Sequence, residues 1–236
     1  MAAASHLARA GALFALGALA VAGCASGALA PGPRPLATDP PRTLEPGARP
    51  IASARAFAPG PPFVGAATLV LETTEGTITC ALDGARAPRA VGAVIALTEG
   101  TSAWRAPDGS VAARPYYDGL AFFRAVRGVY AQTGCAVGDG SGNPGWRLPV
   151  ERDPSDAARL ARPGALFLAR YHAPPDRADP SPPPPGEVIG AQLVVARASM
   201  SHLAGDVTVL GACAELDTIE RVSETPARVR RARVVR

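Results

Sequence analysis

The stretch Pro115–Gly134, "PYYDGLAFFRAVRGVYAQTG", is mostly apolar and aromatic, yet Arg124 follows directly on Phe122 and Phe123, with Gln132 further along the same run. A guanidinium stays charged at any physiological pH, and burying one unpaired is expensive. Arg124 therefore either snorkels from a strand edge or is held in place to donate hydrogen bonds, with the Gln132 amide as a second polar group. Other constellations fail on spacing. His6, His172 and His202 form no ligand set, and Cys80, Cys135 and Cys213 fit no metal motif. "GDGSGNPG" superficially resembles a phosphate loop, but no Lys-Ser/Thr follows and no helix pattern opens there. As a calcium loop it puts Pro144 where the bend needs glycine and Val150 where a bidentate Glu is needed. No nucleophile–base arrangement has usable spacing. The expectation is chemistry without metal or cofactor.

The elements around Arg124 read mainly as short strands. "TLVLETTEGTITCAL" predicts two strands around a glycine-containing turn, with Ile78, Cys80 and Leu82 on one face and Thr77, Thr79 and Ala81 on the other. "APRAVGAVIALTEG" predicts a helix, with Pro88 in the first turn, an apolar stripe of Val91, Val94 and Ile95, and Gly100 as its stop. "TSAWRAPDGSVAAR" is a loop or small hairpin, and "LAFFRAVRGVYAQTG" is two strands broken near Arg127-Gly128. "GALFLAR", "IGAQLVVARA" and "DVTVLGAC" are buried strands. "ELDTIERVSETP" is a second helix and "ARVRRARVV" a last strand. The fold class is mainly β, a closed antiparallel β-barrel capped by two helices. The three cysteines of this region are expected as small core residues, with a Cys80–Cys213 bridge left open.

The chain has 236 residues, 47% of them hydrophobic, enough for a sizeable core in one or two domains. With 25 glycines and 25 prolines, part of it must be loop-rich or unstructured. The net charge is +4, with every Lys/Arg-type positive charge an arginine and no lysine, and it does not argue for nucleic acid. The terminal "RVRRARVVR" reads as a solvated edge strand instead. Residues 1–23 read as an export signal: Arg9, then the apolar run Ala10–Gly23, shorter than the roughly 20 residues a spanning helix needs. The run ends in "AVAGC", which resembles the bacterial lipobox, with Cys24 as the lipidated residue; an ordinary signal peptide cut near "CASGALA" is the alternative. Residues 24–62 are a Pro-rich disordered tether of polyproline character, or a proline-rich ligand for a partner. Residues 63–236 form the folded domain, expected as a monomer, with "APPDRADPSPPPPGEV" a long surface loop within it. Ala25, rather than Asp, after the lipid cysteine implies the periplasmic face of a bacterial outer membrane.

At "YYDGLAFFRAVRGVYAQTGC" the chain resembles cyclophilin-type peptidyl-prolyl isomerases, whose pattern here is close to Y-D-G-x-x-F-H-R-V-x-x-G-F-x-x-Q-G-G-D. The resemblance runs in order from Ala67 to Arg236. "LETTEGTITCALDGARAPRAVGAVIAL" is similar to the family's opening hairpin and first helix, and "GDGSGNPGWRLPVE" to its glycine-rich loop. "RPGALFLAR" stands for its Pro-Gly-x-Leu-x-Met-Ala-Asn segment, "IGAQLVVA" for its Gly-Ser-Gln-Phe-Phe-Ile-Thr strand, and "HLAGDVTVLG" for its Leu-Asp-Gly-x-His-x-Val-Phe-Gly. The resemblance implies that Arg124 is the catalytic arginine, Gln132 its partner, and Gln192 a second glutamine facing the substrate groove.

Several positions depart from that pattern. Phe123 replaces His before the arginine, and Val129 and Tyr130 replace Phe and usually Met at the pocket. Thr133 and Cys135 replace Gly and Asp, and Arg170 replaces Asn. Val194 replaces the Phe of the pocket floor, Val207 replaces a pocket His, and His202 stands where many members have an aromatic residue. Ala169 and Leu203 match. Losing Phe for Val removes several methylene equivalents at roughly 0.8 kcal/mol each, unless Tyr130 leans in to refill the space. The expectation is a lipid-anchored foldase of reduced activity acting on exported proline-containing polypeptides. A non-catalytic module binding proline-containing segments is the alternative, and a structural envelope lipoprotein a third class.

Overall fold

The structure is a computed structural model and describes residues 58–170 and 186–236. The export signal, Cys24, the tether up to residue 57, His172 and most of the second Pro-rich block lie outside the described residues. The strands run β1 (Ala66–Thr73), β2 (Gly76–Asp83), β3 (Trp104–Arg105), β4 (Val111–Ala112), β5 (Arg124–Val126) and β6 (Tyr130–Thr133). They continue with β7 (Arg147–Pro149), β8 (Ala165–Arg170), β9 (Glu187–Ala196), β10 (Thr208–Cys213) and β11 (Val229–Val235). The helices are α1 (Pro88–Glu99), α2 (Asp156–Leu160) and α3 (Leu216–Glu224).

The main sheet is ordered β11-β1-β2-β10-β8-β9-β6-β5, with β7 also paired to β9, and β3-β4 form a separate hairpin. The expected closed barrel is corrected to an open, curled sheet. No ladder joins β11 to β5; the seam is held by the irregular segment before β5. There Gly119 N–H donates to Val229 O (2.6 Å), Val229 N–H to Leu120 O (2.8 Å) and Phe122 N–H to Ala227 O (3.0 Å). The physical reason is local: Gly119 turns with φ 79°, and β5 is too short to continue a ladder past it. Asp118 Oδ1 accepts from Ala232 N–H (2.8 Å), which also covers the β11 edge.

The β1–β2 hairpin places Ile78, Cys80 and Leu82 in the core, as their alternation predicts. Cys80 pairs in register with Cys213 of β10, and the two are disulfide-bonded. Cys135 is a free, buried cysteine.

Helix α1 begins at Pro88 and ends on Gly100 at φ 72°. Its orphan first-turn amides are capped from afar: the Glu151 carboxylate accepts from Arg89 N–H (3.1 Å) and Ala90 N–H (2.8 Å). The helix is buried all round from Ala90 to Thr98, not on one stripe, because residues 58–63 cross its outer side. A side chain at Gly92 would sit 2.0 Å from Pro61 O, and Ser102 Oγ donates to Ala58 O (2.7 Å). Ala58–Pro62, read from the sequence as the end of the tether, thus packs against the domain.

Helix α3 buries Ile219 and Val222. Among the described residues, three helices stand where two were expected. The additional one, α2, is a short turn of helix with Leu160 fully buried, too short to show a period in the sequence. Leu160 belongs to a second apolar cluster, with Phe167, Val194, Met200, Val207 and Val209, on the opposite side of the sheet from the main core.

Candidate active site

Strand register assembles the site. Arg124 pairs with Gln132 across β5–β6, Gln132 with Val194 across β6–β9, and Val194 with Phe167 across β9–β8. Residues directly opposite in antiparallel ladders share a face, so these four side chains form one row across four strands. Over the row lies a cavity of about 160 Å³, lined by Arg124, Tyr130, Gln132, Phe167, Ala169, Arg170, Val194 and Met200. An apolar cavity of about 150 Å³ accommodates a benzene ring, so a pyrrolidine ring fits this one.

Arg124 is exposed at the edge of this cavity. Among the described residues its guanidinium has no carboxylate within ion-pair distance; it lies 6.0 Å from the Phe123 ring centre. Gly140 leaves it room, since a side chain there would come within 3.0 Å of the Phe123 ring and 3.5 Å of the Arg124 Nη2.

Gln132, only 6% exposed, is fixed from behind. Gln192 donates its amide hydrogens to Gly140 O (2.9 Å) and Gly142 O (2.7 Å). Its oxygen must then accept, and Gln132 Nε2 donates to it at 2.8 Å. That orientation leaves Gln132 Oε1 and one N–H free to meet a ligand.

The glycine-rich loop is wound around Cys135, whose Sγ faces the N–H groups of Gly138 (3.2 Å), Gly140 (3.2 Å) and Gly142 (3.3 Å). Asp139 accepts from the Ser141 hydroxyl (2.6 Å) and N–H (2.7 Å), and these bonds hold its carboxyl below the ordinary value. Among the described residues no His, Cys, Asp or Glu cluster gathers as a metal site.

Of the residues singled out from the sequence, Arg124, Tyr130, Gln132, Ala169, Arg170 and Val194 converge on the cavity. Val129 and Leu203 pack, partly buried, on the second apolar cluster, and Val207 is buried within it. Two placements differ from expectation. Gln192 does not face the groove; at 1% exposure it stands behind Gln132 and braces it. His202 is exposed on a short 3-10 turn and does not line the cavity.

Phe167 and Met200 are cavity residues the sequence reading missed. Phe167 is two residues from Ala169 on the same strand, so the period of two could have found it. Met200 lies in a loop and carried no such signal.

Residues 68–183 match the family described as cyclophilin type peptidyl-prolyl cis-trans isomerase. A peptidyl-prolyl cis-trans isomerase A of Mycobacterium tuberculosis is 28% identical over 163 residues, covering 67% of this chain and 81% of that one. The peptidyl-prolyl cis-trans isomerase B of Bacillus subtilis is 33% identical over 96 residues, covering 41% and 57%. In fold, a cyclophilin-type isomerase of Cryptosporidium parvum matches with a TM-score of 0.55 at 19% identity, over 73% of this chain and 99% of that one. That protein has also been solved in the presence of the dipeptide Ala-Pro, with a TM-score of 0.53.

Proposed function

The chain belongs to the cyclophilin-type peptidyl-prolyl cis-trans isomerase family, and from that premise we propose that it isomerises Xaa-Pro bonds at the Arg124–Gln132 cavity. The barrier, about 20 kcal/mol, is amide resonance; it falls when the proline nitrogen recovers its lone pair. Tyr130, Phe167, Ala169, Val194 and Met200 grip the ring. The Arg124 guanidinium donates to the imide nitrogen as it pyramidalises, and the Gln132 amide holds the neighbouring carbonyl. This is electrostatic stabilisation by a preorganised donor and uses no nucleophile. The observation that carries the reading is a guanidinium without a carboxylate partner among the described residues, set in register with a braced glutamine beside an apolar cavity. We take the activity to be lower than in members with an aromatic residue at position 194. Phe167 supplies part of the missing floor from the neighbouring strand.

The clients are exported proline-containing polypeptides. The protein acts as a monomer, lipid-anchored through Cys24 in a bacterial envelope, on the periplasmic face of the outer membrane. The lipobox-like "AVAGC" supports the anchor, and the Cys80–Cys213 bridge fits an oxidising compartment. A Cys24→Ser protein that fractionates with membranes as before would exclude the anchor.

The test of the activity is isomerisation of an Xaa-Pro peptide by the protein and by Arg124→Ala. Loss of one preorganised donor predicts a fall of about 10²–10³ in kcat/KM with the fold intact. Equal rates with and without the guanidinium would rule the mechanism out. Peptide binding without turnover would assign a binding module instead.

A further inference from the structure

Ala169 and Arg170 are consecutive in β8, yet both line the cavity; on a regular strand they would point to opposite faces. The β8–β9 ladder shifts register between Leu168 and Arg170, and irregularities of this kind re-aim side chains beside binding sites. Arg170 Nη1 lies 2.8 Å from Asp206 Oδ2, and the two side chains are 45% and 53% exposed. An ion pair so open to water contributes little, so Arg170 can exchange Asp206 for another carboxylate at small penalty.

Among the described residues, the cavity lining contains two guanidinium groups, Arg124 and Arg170, and no carboxylate. Arg124 is committed to the prolyl imide, which leaves Arg170 to meet what flanks the proline. Its planar fork matches a carboxylate bidentately. Resting on the isomerase reading above, we propose that Arg170 makes this site select prolyl bonds flanked by an aspartate or glutamate side chain, the substrate carboxylate displacing Asp206.

The experiment compares peptides carrying Glu, Gln or Lys at each position flanking a single proline, in kcat/KM and in calorimetric binding to the full chain. Glu is expected to exceed Gln by up to about fivefold, the upper end for one exposed charge pair, with Lys below both at one flanking position. The ratio should fall in high salt and collapse to unity in Arg170→Gln. In Asp206→Asn it should rise, because the competing carboxylate is gone. Equal handling of Glu and Gln by the parent protein, or a preference that survives Arg170→Gln, would overturn the assignment. Binding reads the preference without turnover, so a failed isomerase reading and a failed Arg170 reading give different results.

Discussion

Strands β8 and β9 carry two different surfaces on alternate residues. Leu166, Leu168, Leu193 and Val195 point into the main core with α1, each no more than 1% exposed. Phe167, Ala169 and Val194 point the other way, into a smaller cluster that opens at the cavity. The inner surface is backed by two layers of packing and a disulfide; the outer one is only partly roofed, by α2 and the segment around Met200. The difference teaches why the two faces of the same strands tolerate change differently. A change on the inner face leaves a sealed void or a clash, whereas a change beside an open cavity is relieved by solvent or a neighbour.

The largest effect should come from unlinking the inner face. The Cys80–Cys213 bridge closes a sequence separation of 133 residues between β2 and β10. A Cys80→Ser/Cys213→Ser protein should lose about 2–5 kcal/mol of stability, measured by urea unfolding, while the Arg124 site is still formed in the folded fraction. A midpoint unchanged from the parent would show that the two faces are equally secured without the bond.

Next, Leu168→Ala should remove about 2–5 kcal/mol, because the site is fully buried and the void is closed to water. Its kcat/KM, measured well below the unfolding transition, should fall far less than that of Arg124→Ala. The reverse ranking would break the division between a face for stability and a face for chemistry.

Gln192→Leu tests the buttress. It leaves the Gly140 and Gly142 carbonyls and the Gln132 amide without their partner, at about 1–3 kcal/mol for buried groups left unsatisfied. The expected kinetic signature is a fall of about tenfold in kcat/KM from lost orientation, even though Gln192 does not line the cavity. Unchanged kinetics with reduced stability would confine Gln192 to a structural role.

The smallest and most diagnostic change is Val194→Phe. With Phe167 directly opposite, a second ring overfills the row, at about 1–3 kcal/mol, and kcat/KM should not rise. Moving the ring instead, in Phe167→Val/Val194→Phe, should recover stability and equal or exceed the parent rate. A single Val194→Phe that is both stable and faster would show that the floor is empty and that Phe167 does not fill it.

Much of this was legible along the chain because it depends on local periodicity and local chemistry. Alternating Ile78, Cys80 and Leu82 fixes a strand face; Pro88 and Gly100 bound a helix; Arg124 in an apolar run asks for a reason. Less legible were features set by what packs alongside. Helix α1 shows one stripe in sequence but is buried all round, because residues 58–63 lie over Gly92. Short α2 has too few residues to display a period. Gln192, expected from the resemblance to face the groove, stands as a buttress only because of the Gly140 and Gly142 carbonyls it binds.

The sequence by itself determined the mainly β architecture and the succession of most strands along the chain, since these follow from residue type and spacing, while the partnership of Arg124 with Gln132 came from the resemblance to cyclophilin-type isomerases. Only the tertiary structure decided that the sheet stays open, that Arg124, Gln132, Val194 and Phe167 align in one row, and that Arg170 turns toward the cavity while His202 does not. The physical reason is register. Which residues stand opposite one another across a ladder, and where a shift re-aims a side chain, depends on hydrogen bonds between segments far apart in the chain, which no local pattern records.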